Sequence, residues 1–223
     1  MHSREKSSRA AYTGRVELKV YPSERPFGAL VLAHGAGAGQ TSSFMVRVAT
    51  GLAHRGLSTA TFDFAYMAGG RKVPDRTPVL ESTWREAIAT ARQQFKGLSL
   101  FIGGKSMGGR IASHIASQGG ATPLAGLIFL GYPLHPPGRP DQRRDAHLAG
   151  ITEPMLFVQG SRDAFGTAGE IRQLLRTLPH ATLEEVEGGD HSFKVPGGVN
   201  RQDRVLLSIM DVVARWASAK AGH

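Results

Sequence analysis

Ser106 sits in the run FIGGKSMGG, residues 101–109, between Gly104 and Gly108. G-x-S-x-G is the pattern of a nucleophile elbow, a sharp strand-to-helix turn that holds a serine hydroxyl at its tip. The same letters contain Gly104-Lys105-Ser106, which could close a phosphate-binding loop. That loop needs a glycine five positions before Gly104, where Ser99 stands instead, and Leu100-Phe101-Ile102 read as a buried strand. After the serine, residues 107–116 place small and apolar side chains at helical spacing. Side chains at 104 or 108 would collide where strand and helix approach, and glycine accepts the tight backbone there. The chemistry this implies is nucleophilic attack by an activated serine.

Such a serine needs a base within hydrogen-bond reach and an acid that orients the base and stabilises its charged form. Nine histidines are present, so position must choose among them. His191 follows the last expected strand in VEGGDHSF, after glycines that permit a turn. A loop there can deliver an imidazole to the hydroxyl, though an ordinary polar loop histidine would look the same. His54 and His180 fall at helix ends, and His114 lies inside the helix after the elbow. His34 supports a loop, and His2 and His223 belong to the termini. Asp163 in QGSRDAF follows the strand before that of His191 and is the candidate acid. Asp190 adjoins His191 and is badly placed to face it, and Asp145 on a long loop reads better as a solvated charge. Ser106, Asp163 and His191 also follow the order serine, acid, histidine that an elbow fold requires.

Acyl transfer also needs donors for a developing oxyanion. HGAGAG, residues 34–39, follows a buried run, and its small residues would let a backbone N–H approach a carbonyl. The candidates are the N–H of Ala36, with Gly37 next, and that of Met107, at a helix start where the dipole favours negative charge. A glycine-rich turn of purely structural purpose is the alternative. Lys105 is expected to point away from Ser106 by strand alternation, which excludes a serine–lysine pair.

The elements that must hold these residues alternate along the chain. Residues 15–21 alternate apolar and polar as an edge strand does, and 29–34, 57–62, 98–103, 124–130, 154–160 and 181–188 read as further strands. Helices are expected from Ser42 or Ser43 to about 54, from about 80 to 95, after the elbow, from a Thr167–Glu170 capping box to about 178, and over 199–218. Residues 63–79 and 131–150 read as loops. Strands alternating with helices predict an α/β fold, with a mostly parallel central sheet and helices on both faces. In such a sheet ligands bind beyond the carboxyl ends of the strands, where the candidate residues fall. No internal repeat or linker divides 15–223, so one domain is expected there, preceded by a flexible tail over 1–14.

Composition narrows the function classes. The 27 Lys and Arg against 18 Asp and Glu give a net charge of +9, but the basic residues are spread among acids. No recognition helix, zinc pattern or aromatic RNA-binding motif accompanies them, so a basic surface is expected and not a nucleic-acid partner. There are no cysteines, hence no disulfide or thiolate metal site. No apolar run approaches the roughly 18–20 residues of a membrane span, and the first residues lack the apolar stretch of a signal peptide. A cytoplasmic protein acting on a small molecule, without metal or organic cofactor and without a membrane partner, is the expectation.

The stretches LAHGAGAG, FDFAYMAGGRKVPDRTP, GGKSMGGR, GYPLHPPGRP and QGSRD resemble the α/β-hydrolase superfamily over essentially all of the chain after about residue 14. Within it, the sequence is similar to the small dienelactone-hydrolase-like hydrolases of bacteria. The resemblance implies an α/β-hydrolase fold with no large lid domain. It also implies a serine hydrolase of the carboxylesterase kind, with Ser106 as nucleophile, Asp163 as acid and His191 as base. Dienelactone hydrolases use a cysteine nucleophile, which this chain lacks, so their substrate does not carry over. The same branch resembles a subunit of a nuclear histone-acetyltransferase complex, which keeps a scaffold without catalysis as the alternative. Arg71, Arg139, Arg143 and Arg144 fall in the loops that should rim the site and would recognise an anionic group on a substrate. Asp63, Asp75, Asp141 and Asp145 lie in the same loops and could simply pair with them.

Overall fold

The buried apolar runs become the strands of one sheet in a computed structural model that describes residues 16–119 and 123–222. In chain order the elements are β1 (Lys19–Tyr21), β2 (Gly28–Ala33), α1 (Ser43–Ala53), β3 (Leu57–Phe62), α2 (Ala65–Ala68), α3 (Thr77–Gln94) and β4 (Ser99–Lys105). They continue with α4 (Met107–Ser117), β5 (Gly126–Leu130), β6 (Met155–Gly160), α5 (Ala168–Leu174), β7 (Ala181–Val186) and α6 (Val199–Ala221). Short 3-10 turns occur at Ala146–Gly150 and Leu175–Thr177.

The sheet order is β1-β3-β2-β4-β5-β6-β7. β1 runs antiparallel to β3, and every other pair is parallel. Alternate residues of each strand serve opposite faces, as the pleat dictates. Leu30, Leu32, Phe101, Ile128 and Leu156 pack under α1 and α6 with Leu52 and Val213. Val31, Ile102, Phe129 and Phe157 pack on the other face against Trp84, Ile88 and Ile111 of α3 and α4. Each such side chain contributes about 1.5–3 kcal/mol relative to exposure, so the two faces fix the layers.

The register aligns the carboxyl ends. Ala33 lies opposite both Phe62 and Gly104, Lys105 opposite Leu130, and Gly160 opposite Val186. β3 and then β1 lie outward of β2 on one side of the sheet and β4 to β7 follow on the other, so the strand order reverses between β2 and β4. A crevice for ligands is expected at such a reversal. The longest excursions past this edge, 63–76 and 131–154, carry only α2 and one 3-10 turn, and no large lid covers it.

Several boundaries differ from those read in the sequence. The first strand shortens from 15–21 to Lys19–Tyr21, because Val16 N–H turns to Glu86 Oε1 at 2.7 Å. Residues 63–79 are not all loop, since α2 forms within them and α3 begins at Thr77. Pro78 occupies the first turn of α3, where a missing N–H has no partner to lose. The capping box at Thr167 and Glu170 is present with both reciprocal bonds, yet α5 ends at Leu174 and tightens into the 3-10 turn. The expected tail over 1–14, with His2, and also His223, lie outside the described residues. Among the described residues no helix is long and apolar enough to cross a membrane, and no group of three or more His, Asp or Glu is placed to hold a metal ion.

Candidate active site

β4 runs into α4 through Ser106 at a turn with almost no room. Ser106 adopts φ 49° and ψ −118°, a conformation that costs a non-glycine residue of order 1–3 kcal/mol. A Cβ on Gly104 would lie 2.4 Å from Ala33 O, and one on Gly108 would lie 2.6 Å from both Ala33 O and His34 O. Only glycine at both positions lets α4 approach the end of β2 this closely. Trp84 Nε1 donates to Gly108 O at 3.1 Å and ties α3 to the same turn.

Three side chains from three strand ends then form one hydrogen-bonded chain. His191 Nε2 lies 2.8 Å from Ser106 Oγ, and His191 Nδ1 lies 2.7 Å from Asp163 Oδ2. The proton positions follow from the surroundings. Phe165 N–H donates to Asp163 Oδ1 at 2.8 Å and Gln159 Nε2 to Oδ2 at 2.9 Å, so the buried carboxylate acts only as acceptor. Nδ1 therefore carries the proton, and Nε2 is left to accept from the serine hydroxyl. Phe165 packs its ring against His191 at a centroid distance of 4.2 Å. Asp190 instead folds its own turn, accepting from Ser192 N–H and Lys194 N–H, and Asp145 pairs with Arg143.

Ser106 and His191 open onto a cavity of about 730 Å³. Gly35, Ala36 and Met107 line it beside Ser106, whereas Gly37 does not. Gly37 turns at φ 78°, and Gly35, Ala36 and Ala38 on either side of it are the members of that loop at the cavity wall. Met107 opens α4, and its N–H therefore has no carbonyl partner within the helix. His34 holds the loop from behind: Nδ1–H meets Gly35 O at 2.8 Å, and Nε2 accepts from Phe64 N–H at 3.2 Å. Acceptance at Nε2 needs the neutral ring, and burial lowers the His34 pKa in the same direction.

Residues 27–218 match the profile of the alpha/beta hydrolase domain family. The chain belongs to that family. Its α/β-hydrolase fold is shared with an alpha-beta serine hydrolase homologue from Coxiella burnetii, at 16% identity and TM-score 0.73, over 93% of this chain and 94% of that one. A dienelactone hydrolase from Anabaena variabilis aligns at 20% identity and TM-score 0.69, over 93% of each chain. A lidless α/β serine hydrolase from Xanthomonas campestris aligns at 19% identity and TM-score 0.69, over 90% of this chain and 89% of that one. Family and fold support a hydrolase.

This hydrolase fold uses residues that sequence reasoning did not single out. Gln159 is fully buried in β6, where it accepts from Tyr132 N–H at 2.8 Å and donates to Asp163 and to Gly166 O. A lone amide in an otherwise apolar strand was the available signal, because a buried polar group must be satisfied by something. Lys105 does avoid Ser106, but its ammonium is not idle. It donates to the His191 backbone carbonyl at 2.6 Å and sits 5.5 Å over the ring of Phe193, itself strained at φ 59°. Of the four arginines expected to meet substrate, only Arg144 lines the cavity. Arg71 grips both oxygens of Asp75 and Arg143 pairs with Asp145, as the acids in those loops allowed, while Arg139 is exposed away from the cavity lining. Arg110 of α4 lines the cavity instead.

Burial pushes the Lys105 pKa from 10.5 down to about 8, against the attraction of Asp163 and Asp190. Between those values the unfolded chain binds more protons than the folded one, so this group makes stability rise with pH from about 8 to 10.5. Lys105→Met should abolish that rise, read as the difference between urea unfolding curves of the two proteins at pH 8 and pH 10. It should also loosen the His191 loop, whose carbonyl the ammonium holds, and lower hydrolytic turnover by about tenfold, since small misplacements of a positioned group are costly.

Proposed function

We propose that the chain is a serine hydrolase that transfers the acyl group of a small ester or related carbonyl substrate to water. What carries this reading is the unbroken Asp163–His191–Ser106 hydrogen-bond chain ending on a strained serine at an open cavity. Ser106 Oγ attacks the carbonyl carbon while His191 Nε2 takes its proton, and Asp163 stabilises the imidazolium without itself accepting the proton. The Ala36 and Met107 N–H groups receive the oxyanion at the cavity wall. Collapse of the tetrahedral intermediate expels the alcohol, to which His191 returns the proton. A water then enters by the same steps in reverse order, and the acid leaves with Ser106 restored. The cavity rim, without a large lid domain, suits small or exposed esters better than buried long acyl chains.

Hydrolysis of 4-nitrophenyl acetate and butyrate tests the proposal. Ser106→Ala should lower kcat by about 10³-fold or more, and adding His191→Ala should cost little further, because residues that act as one unit are not additive. Equal turnover by wild type and Ser106→Ala would sink it. Absence of turnover across a broad ester panel by well-folded wild type would favour the scaffold reading.

A further inference from the structure

Three guanidinium groups line the cavity wall without a carboxylate salt bridge among the described residues, unlike Arg71 with Asp75 or Arg85 with Glu81, and two of them, Arg110 and Arg144, are close enough to repel each other. Arg110 lies one helical turn after Ser106, its N–H donating to Ser106 O at 3.1 Å. Its half-buried side chain donates to His114 Nε2 at 3.3 Å. That imidazole is neutral, with Nδ1–H turned to Glu81 Oε1 at 3.2 Å, so Glu81 reaches Arg110 only through a ring. Arg144 comes from the loop after β5. Its backbone is pinned on both sides, N–H to Leu134 O and C=O from the Tyr132 hydroxyl, each at 2.9 Å.

The electrostatic setting is one-sided. Burial lowers the Arg110 pKa and the like charge of Arg144 adds to this, with Tyr132 and Glu81 opposing. Lys194 and Arg76 line the same cavity, while the Lys105 ammonium is engaged by His191 O. Among the described residues the acid in the lining is Asp75, and both its oxygens are already held by Arg71. A neutral acyl chain would leave the two guanidiniums unneutralised, whereas an oxyanion would relieve their repulsion and could accept from each fork bidentately.

We infer that Arg110 and Arg144 form an anion subsite beside Ser106, and that the substrate is an ester carrying an oxyanion, a carboxylate or a phosphate, a few bonds from the scissile carbonyl. The substrate class rests on the hydrolase reading above, but the subsite can be tested without turnover. The Ser106→Ala protein is titrated by NMR with three methyl esters of matched acyl length: methyl butyrate, monomethyl succinate and methyl 3-phosphonopropionate. At least one anionic ester should bind about tenfold more tightly than methyl butyrate, the effect of one charge-assisted hydrogen bond. Which anion gains more separates the carboxylate from the phosphate source. Arg144→Gln and Arg110→Gln, each on that background, should erase most of the preference.

Equal or weaker binding of both anions, or a preference that survives both substitutions, overturns the subsite. Fluorophosphonate labelling of the wild type is read in parallel. Labelling without anion preference keeps the hydrolase and discards the subsite, and anion preference without labelling does the reverse.

Discussion

Asp163→Asn is expected to lower kcat by about 10⁴-fold, the loss seen when a triad acid becomes an amide and the histidine tautomer is set wrongly. Every partner of the carboxylate is a donor: Phe165 N–H on Oδ1, and both Gln159 Nε2 and His191 Nδ1 on Oδ2. An asparagine NH₂ has nowhere to go. Turned toward His191 it would donate to Nδ1 and force the proton onto Nε2, which then faces Ser106 and cannot accept from it. Turned the other way it would oppose Phe165 N–H in a buried site. That unsatisfied group should cost about 1–3 kcal/mol of stability. Steady-state kinetics and urea unfolding of the same variant separate the two effects. A loss of less than tenfold in kcat would mean that His191 is oriented by something other than Asp163.

Gly108→Ala should damage the molecule more broadly. The new methyl would stand 2.6 Å from two backbone oxygens, those of Ala33 and His34, and neither can swing aside as a side-chain end could. Either α4 backs away from β2 or the end of β2 bends, and both motions separate Ser106 from the Ala36 loop. The cost should reach the upper end of overpacking, about 3 kcal/mol or more, lowering Tm by about 6–12 °C in a chain of this size. Gly150→Ala is the control. Nothing lies within 4 Å of a Cβ there and its φ is ordinary, so its stability should stay within about 0.5 kcal/mol of wild type. A Gly108→Ala protein as stable and active as wild type would show that the elbow has more room than its geometry implies.

Much of the fold was legible because a parallel sheet writes itself as uninterrupted apolar runs. β3 begins and ends where LSTATF does, and the other buried strands shift by only one or two residues. That Ser106, Asp163 and His191 share one edge was legible for the same reason: each stands a few residues past such a run, and register aligns those ends. What periodicity could not convey was reach. Strand alternation turned Lys105 away from Ser106, but a four-carbon stem lets its ammonium find the carbonyl of His191, on the loop after β7, three strands over in the sheet order. Arg110 was legible as a helical position, yet only the packing of α4 against β4 and the 3-10 turn at Ala146–Gly150 brings it to the cavity. The loop arginines show the opposite limit. Their charges were visible, but whether Arg71 or Arg143 met a substrate or the aspartate beside it depended on loop geometry that no local pattern encodes.

The most direct test of the account is reaction with a fluorophosphonate probe, mapped by peptide mass spectrometry on wild type, Ser106→Ala and His191→Ala. An activated nucleophile predicts rapid labelling confined to Ser106, absent in Ser106→Ala and slowed by at least about 100-fold in His191→Ala, the scale of general-base assistance. Folded wild-type protein that resists the probe, or that labels equally well without His191, would contradict it.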